Sequence, residues 1–179
     1  MEHAEKHSST LADKIEKLTS QSPMLCYQCG KCSAGCPVRN YMDESPNQVV
    51  RLVQLGFDDE ALKSSTIWLC AGCLTCSSRC PQNFELAKFM DAMRQIAFEE
   101  DVVIEEKDTV KFHEAFLNQI KKYGRAFEFG LVQEYKLKSL NFMQDVDLAP
   151  EMFLKGKIGL FPHKIKDRDG IKKIFDETD

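Results

Sequence analysis

Long hydrophobic runs are absent from the sequence, and this absence excludes two classes of protein. No apolar stretch approaches the roughly 20 residues that a membrane-spanning helix needs. The start, MEHAEKHSSTLADKIEKL, also lacks the apolar run of a secretory signal. We therefore expect a cytoplasmic protein without a membrane span.

An excess of basic residues is missing as well, since the formal net charge is −4. Nucleic acids are bound mainly through Lys and Arg contacts to phosphate, so they are not expected partners. The 179 residues suffice for one domain, and 43 % apolar with 29 % charged residues is ordinary for a folded globular protein.

Cysteine, in contrast, is abundant, with eight residues. Inside a cell, thiols are kept reduced, so dense cysteine usage there indicates metal binding rather than disulfides. The cysteines form two blocks of identical spacing, C-x2-C-x2-C-x3-C-P, and none is left over: Cys26, Cys29, Cys32 and Cys36 before Pro37, and Cys70, Cys73, Cys76 and Cys80 before Pro81.

This spacing is that of bacterial ferredoxins and predicts two 4Fe-4S clusters. Gly30 and Gly72 let the backbone approach each cluster. The proline after each block directs the fourth cysteine away, so that it reaches the other cluster. We thus expect these ligand sets: Cys26, Cys29, Cys32 and Cys80 for the first cluster, and Cys70, Cys73, Cys76 and Cys36 for the second.

Zinc is the main alternative, because CxxC pairs also build structural zinc sites. Zinc ribbons use two pairs per ion, however, and the third cysteine and the C-P step of each block would then have no purpose. Two clusters with four thiolates each would bring the net charge to roughly −8.

Helical signals surround both blocks and predict an all-α fold, the α-helical type of ferredoxin. Between the blocks, Ser45 and Pro46 begin a helix that ends at Gly56, and a short helix follows over residues 58–63. After the second block, Asn83 is the predicted cap of a helix with this apolar stripe: Leu86, Phe89, Met90, Met93, Ile96 and Ala97. We expect that stripe to lie against the clusters.

The segments before and after the cysteine blocks contain no cysteine and have other predicted roles. Leu11, Ile15 and Leu18 predict a short amphipathic helix that serves as an arm, and further helices are predicted over residues 109–123 and 131–140. The tail after Pro150 interleaves basic and apolar residues with little periodicity, which favours docking onto a partner over a solvated basic face. The expected organisation is an arm (1–22), a ferredoxin domain (23–100), a helical extension (101–148) and a docking tail (149–179).

Several single residues near the blocks have two possible roles. Lys31, Arg39 and Arg79 lie beside ligands, where they either raise the reduction potentials of the clusters or are ordinary surface charges. His113 and His163 are expected to be structural or exposed rather than ligands, and Trp68 is expected to be a packing residue.

Over roughly residues 20–168, the chain closely resembles the C subunit of heterodisulfide reductase, the two-cluster iron–sulfur member of that complex. The resemblance is carried by LCYQCGKCSAGCP, SPNQVVRLVQLGF, IWLCAGCLTCSSRCP, GRAFE and KGKIGLFPHKIK. It implies an α-helical protein that conducts electrons from the flavin-containing partner of this complex to the disulfide-reducing catalytic partner. In electron-bifurcating versions, the wider complex also includes hydrogenase or formate dehydrogenase subunits.

No substrate site is expected in the chain itself. The reducing subunits contain adjacent cysteine pairs, whereas this chain has no two adjacent cysteines. It also contains no glycine-rich dinucleotide fingerprint. Two alternatives remain open: an iron–sulfur subunit of a related sulfur-metabolism or dehydrogenase complex, and a redox-silent module in which metal only holds an interaction arm. Residues 1–25 contain no cysteine, which weakens the succinate dehydrogenase version.

Overall fold

Helices account for all the regular structure in the residues that the computed structural model describes, which are 10–100, 102–104, 106–142, 149–156, 159, 161–163 and 165–178. The predicted all-α class is therefore confirmed. The helices are α1 (Leu11–Thr19), α2 (Lys31–Ala34), α3 (Pro46–Leu55), α4 (Asp58–Lys63), α5 (Thr66–Leu69), α6 (Thr75–Arg79), α7 (Leu86–Glu99), α8 (Lys107–Tyr123), α9 (Glu128–Ser139), α10 (Ala149–Leu154) and α11 (Arg168–Thr178).

Two compact units divide the chain, one up to Glu106 and the other from Lys107 onward. The first unit holds both cysteine blocks, and the second holds α8 to α11. The finer division into four segments that we drew from the sequence stays a prediction. Among the described residues, no helix combines the length and the apolar character that crossing a bilayer requires.

The core of the first unit is built around α7. Phe89, Met93 and Ile96 on this helix are buried, and α1, α4, α5 and α6 pack against it. Leu11 and Ile15 of α1 belong to the same core, with Ile15 fully buried, whereas Leu18 is 46 % exposed. The helix that we expected to serve as an arm is thus packed against the core.

Helix α3 begins and ends at the residues that the sequence indicates. The Ser45 and Gln48 side chains form a reciprocal capping box at its start, with Pro46 in the first turn. Gly56 ends it with a φ of 78°, a left-handed conformation that glycine adopts without a Cβ clash. This helix lies between the two cysteine blocks in the chain.

The predicted cap of α7 is wrong. Asn83 has a φ of 53° and its N–H donates to the Cys80 carbonyl at 3.1 Å, so it closes a turn after the second block. The backbone before α7 is instead held by Gln21, whose Oε1 accepts the Glu85 N–H at 2.8 Å and whose Nε2 donates to the Asn83 carbonyl at 3.2 Å. A residue distant in sequence has replaced the local cap.

The second unit is organised by the antiparallel pairing of α8 and α9. Gln119 is buried on α8 and donates to Glu134 of α9 at 2.7 Å. Both helices begin earlier than predicted, by two and three residues. Gly124 ends α8, and a Cβ there would lie 2.2 Å from the Ile165 side chain, so this close approach requires glycine.

The tail contains more regular structure than its irregular pattern predicts. Helix α11 packs against α8, and Lys121 Nζ lies 3.4 Å from the Asp176 carboxylate. Lys157, Leu160 and Lys164, which contributed to the predicted docking tail, lie outside the described residues.

We expect Ile15→Ala to lower the free energy of unfolding by about 3 kcal/mol, because it leaves a cavity between α1 and α7. Leu18→Ala, on the same helix but half exposed, is the matched control and should change it by well under 1 kcal/mol. Denaturant titration of the anaerobically prepared full chain measures both. Equal, small effects would mean that α1 contributes nothing to the core.

Candidate metal centre

The eight cysteines line two neighbouring cavities. Both cavities take thiols from both blocks. The first is lined by Cys26, Cys29, Cys32, Cys76 and Cys80, and the second by Cys36, Cys70, Cys73 and Cys76. The fourth cysteine of each block therefore lies at the cavity of the other block, and Cys76 borders both.

All eight thiols are free of disulfides. Cys29 and Cys73 are exposed, and the other six are partly buried. Among the described residues, no three histidine, cysteine or carboxylate side chains converge as ligands of a single ion do. The thiols instead surround two spaces, and in a cubane cluster each of four thiolates binds a different iron atom.

The two blocks share one backbone conformation at equivalent positions. The third residue of each block has a positive φ, 64° at Gln28 and 61° at Gly72, and so does the fifth, 74° at Gly30 and 62° at Leu74. Alternation of this kind turns successive N–H groups toward one side and forms concavities that bind anions, including iron–sulfur clusters. Both glycines that we singled out from the sequence occupy such positions.

Short helices then lead to the fourth cysteine of each block. Helices α2 and α6 pack against each other, so the two blocks meet along them. The Cys36 N–H donates to the Ser33 carbonyl at 3.2 Å, and the Cys80 N–H donates to the Ser77 carbonyl at 3.3 Å. The repeat in sequence is thus a repeat in structure, joined at its centre.

Burial raises the pKa of four thiols, Cys26, Cys32, Cys70 and Cys76, because it disfavours the thiolate form. The hydroxyl of Thr75 acts in the opposite direction and lowers the pKa of Cys73. At neutral pH, most of these sulfurs therefore carry protons in the absence of metal. Metal ligation requires thiolates, so it displaces those protons.

The donor set at each cavity fits a 4Fe-4S cluster. The lining of each cavity includes the three-cysteine run of one block and the last cysteine of the other, and Cys76 also borders the first cavity. The remaining lining is largely apolar, with Val50 and Phe84 at the first cavity and Met42 and Met90 at the second. Such a lining restricts water access, which is one of the factors that set a cluster's reduction potential.

Comparison with protein families agrees with this geometry. Residues 24–84, which contain both blocks, match the family described as 4Fe-4S dicluster domain. The domain accounts for eight thiols and two cavities, and the predicted cofactors, two 4Fe-4S clusters, are confirmed.

The dicluster domain and its flanks are also similar to named proteins. The chain is 37 % identical over 100 residues to the C subunit of the ferredoxin:CoB-CoM heterodisulfide reductase of Methanosarcina acetivorans, covering 54 % of this chain and 40 % of that protein. It is 33 % identical over 91 residues to the corresponding iron–sulfur subunit of the CoB–CoM heterodisulfide reductase of Methanopyrus kandleri, covering 49 % and 47 %. The resemblance seen in the sequence is confirmed, and the matched part spans less than half the length of these relatives.

Helix α7 lies beside both thiol-lined cavities. Leu86 lines both cavities, and Ala87 and Met90 line the second. Leu86 and Met90 are thus the members of the expected apolar stripe that line the cavities. Other members of the same stripe are buried in the core of the unit: Phe89, Met93 and Ile96.

Trp68 and two of the cations near the ligands each contact a defined partner. Trp68 is buried and packs edge-on against Phe98, with ring centroids 5.0 Å apart, as a packing residue would. The Arg79 guanidinium lies against Gly35, where a Cβ would come within 2.7 Å of it. Arg39 donates to the Met42 carbonyl at 3.1 Å.

Asp43 is a positioning residue of the dicluster domain that the sequence did not indicate. Its carboxylate accepts the N–H groups of Ser65 at 2.9 Å and Thr66 at 3.1 Å, and the hydroxyls of Ser64 and Thr66 at 2.8 Å each. These residues begin α5, the helix that leads directly to Cys70. Asp43 therefore joins the loop after the first block to the entry of the second.

The ionisation of Asp43 strengthens this link. Burial alone would raise its pKa, but the hydrogen bonds that it accepts from Glu44, Thr66, Ser65 and Ser64 hold the pKa well below its usual range. A carboxyl with a depressed pKa stabilises the folded state above its unfolded pKa, and this contribution is lost as the pH falls through the folded pKa. At neutral pH, the link is fully formed.

We expect Asp43→Ala to destabilise the protein by about 2 kcal/mol at pH 7, since it removes a charged acceptor from the start of α5. Loss of the second cluster on mild heating should also be faster, because Cys70 follows this helix. Glu44→Ala is the control: the Glu44 side chain makes no hydrogen bond among the described residues.

Absorbance of the holoprotein during denaturant and thermal ramps measures both effects. The difference between wild type and Asp43→Ala should be constant above about pH 5 and should shrink at lower pH. Equal behaviour of the Asp43 and Glu44 variants would contradict the assigned role.

Proposed function

We propose that this chain is the electron-transfer subunit of a heterodisulfide reductase-type complex. Its two clusters relay electrons from a flavin-containing partner to a disulfide-reducing catalytic partner. The observation that carries the proposal is the pair of adjoining thiol-lined cavities that share Cys76. Clusters bound there would supply two one-electron stations close enough for an electron to pass between them.

The residues of the chain would bind the two clusters and restrict the access of water to them. One cysteine at each cavity nevertheless remains exposed to solvent. Cys29 at the first cavity and Cys73 at the second are exposed. Each has an exposed apolar neighbour, Tyr27 at 56 % and Leu74 at 61 % exposure. A relay needs one point of entry and one of exit, and the two exposed edges supply them.

The names of similar proteins supply the partner and substrate class for this proposal. One relative, from Methanococcus maripaludis, is 36 % identical over 72 residues and is named as part of an H(2)/formate:CoB-CoM heterodisulfide,ferredoxin reductase. By analogy, we propose a disulfide as the terminal acceptor, a flavin-containing partner that bifurcates electrons, and a wider complex that includes hydrogenase or formate dehydrogenase subunits. The cytoplasmic location remains a prediction from the sequence.

We expect anaerobically prepared protein to contain about eight iron atoms per chain and to show EPR signals from two clusters on reductive titration. Zinc in place of iron, or iron that does not accept electrons, would contradict the relay and favour a metal-stabilised scaffold.

Four serine variants test the proposed ligand sets. Cys29→Ser and Cys73→Ser each weaken one cluster within a block and give reference spectra for the protein lacking the first or the second cluster. If the ligands are crossed, the spectrum of Cys36→Ser should match that of Cys73→Ser. The spectrum of Cys80→Ser should match that of Cys29→Ser. Each variant should lose about four iron atoms. The opposite matching would show that each block holds its own cluster.

Purification of the tagged chain from its host, with mass identification of what accompanies it, tests the partners. Flavin-containing and cysteine-rich reductase subunits are the expected companions, because the proposed relay needs partners that supply its electrons and accept them. Recovery with a haem-containing membrane dehydrogenase instead would contradict this assignment while leaving the clusters intact.

A further inference from the structure

We propose that Gln28 and Asn47 act together to direct an N–H donor at the Cys26 sulfur and thereby raise the reduction potential of the first cluster. This inference rests on the proposed function, since it needs a redox-active cluster at the first cavity. It adds to that function two positioning residues that are not ligands. Both residues line the first cavity.

The contact with sulfur is made by the Gln28 side chain. Its Nε2 donates to Cys26 Sγ at 3.4 Å, within the range of a hydrogen bond to sulfur. A reduced cluster carries one more negative charge than an oxidised one, and this charge is spread over its sulfur ligands. A donor aimed at a ligand sulfur therefore stabilises the reduced form more and raises the potential.

Asn47 determines which end of the Gln28 amide faces the sulfur. Asn47 Nδ2 donates to Gln28 Oε1 at 3.0 Å, so the oxygen of Gln28 is turned toward Asn47. The nitrogen must then point the other way, toward Cys26. Without this contact, the amide could present its oxygen to the sulfur, and two electron-rich atoms would repel each other.

The orientation of Asn47 is itself fixed by Ser33. Ser33 Oγ accepts the Asn47 backbone N–H at 3.1 Å, and its single proton is donated to Asn47 Oδ1 at 2.5 Å. Every donor and acceptor along this path has one consistent direction, which ends at Cys26 Sγ.

The backbone of Gln28 supports a functional role. Its φ of 64° is a conformation that residues with a Cβ adopt at a cost, and the equivalent residue of the second block is Gly72. A strained residue that persists beside a site is a reason to seek a function in its side chain. At the second cavity, Gly72 can offer no such amide, so the two clusters differ in this donor.

Two substitutions of Gln28 separate the amide from the backbone. Gln28→Leu removes the donor and keeps the strained conformation, which Leu74 shows that leucine adopts in this fold. Gln28→Gly removes the donor and relieves the strain, as in the second block. Asn47→Leu leaves Gln28 in place but frees its amide to turn.

We expect both Gln28 variants to lower the potential of the first cluster and to leave the second unchanged in an EPR-monitored redox titration of the full chain. At fixed potential, the ratio of reduced to oxidised first cluster should fall by up to about tenfold, which is about 59 mV for one electron. Asn47→Leu should cause a smaller shift of the same sign. The single-cluster spectra of Cys29→Ser and Cys73→Ser assign the signals.

Gln82→Leu is the matched control, since Gln82 lines the same cavity and makes no hydrogen bond to sulfur among the described residues. Unchanged potentials in all three variants, with iron content intact, would overturn this inference and leave the relay standing. A shift in Gln28→Leu that Gln28→Gly reverses would assign the effect to strain and would also overturn it. Clusters that accept no electrons in the unaltered protein would overturn the proposed function itself.

Discussion

The exchange of the fourth cysteine between the two blocks is the constraint on which the rest of the structure depends. Cys80 lies at the cavity of the first block and Cys36 at that of the second, so neither thiol set is complete until the blocks meet. Burial then raises the pKa of several of these thiols, which makes the assembled sites unfavourable for thiolates without metal. Folding and cluster binding are therefore coupled, and each supplies what the other requires.

Three different kinds of interaction bring the blocks together. Helices α2 and α6 contact each other directly, and α7 closes one side of both cavities with apolar side chains. The third interaction is polar: Asp43 ties the loop after the first block to the start of α5. Because α5 leads to Cys70, this carboxylate fixes where the second block begins, although it is no ligand.

Most of the local structure could be predicted because its signals are local. Ser45, Pro46 and Gly56 define α3 through capping and left-handed geometry, and the cysteine spacing alone indicates the clusters. What could not be predicted depends on residues far apart in the chain. The start of α7 is held by Gln21 rather than by Asn83, and Asp43 bonds to residues more than 20 positions away. Ordinary polar residues carry no signal for such pairings until the chain has folded.

The near-identity of the two blocks makes their differences informative. Both need left-handed residues at the third and fifth positions, yet glycine fills only one in each: Gly30 in the first block and Gly72 in the second. Gln28 and Leu74 occupy the other two at a conformational cost. The two side chains at these positions have different surroundings. Leu74 is an exposed apolar side chain beside the second cavity, and Gln28 directs its amide to the Cys26 sulfur at the first. The two halves of the domain are therefore alike in how they bind a cluster and different in the environment that each provides, which is the property that a directional relay requires.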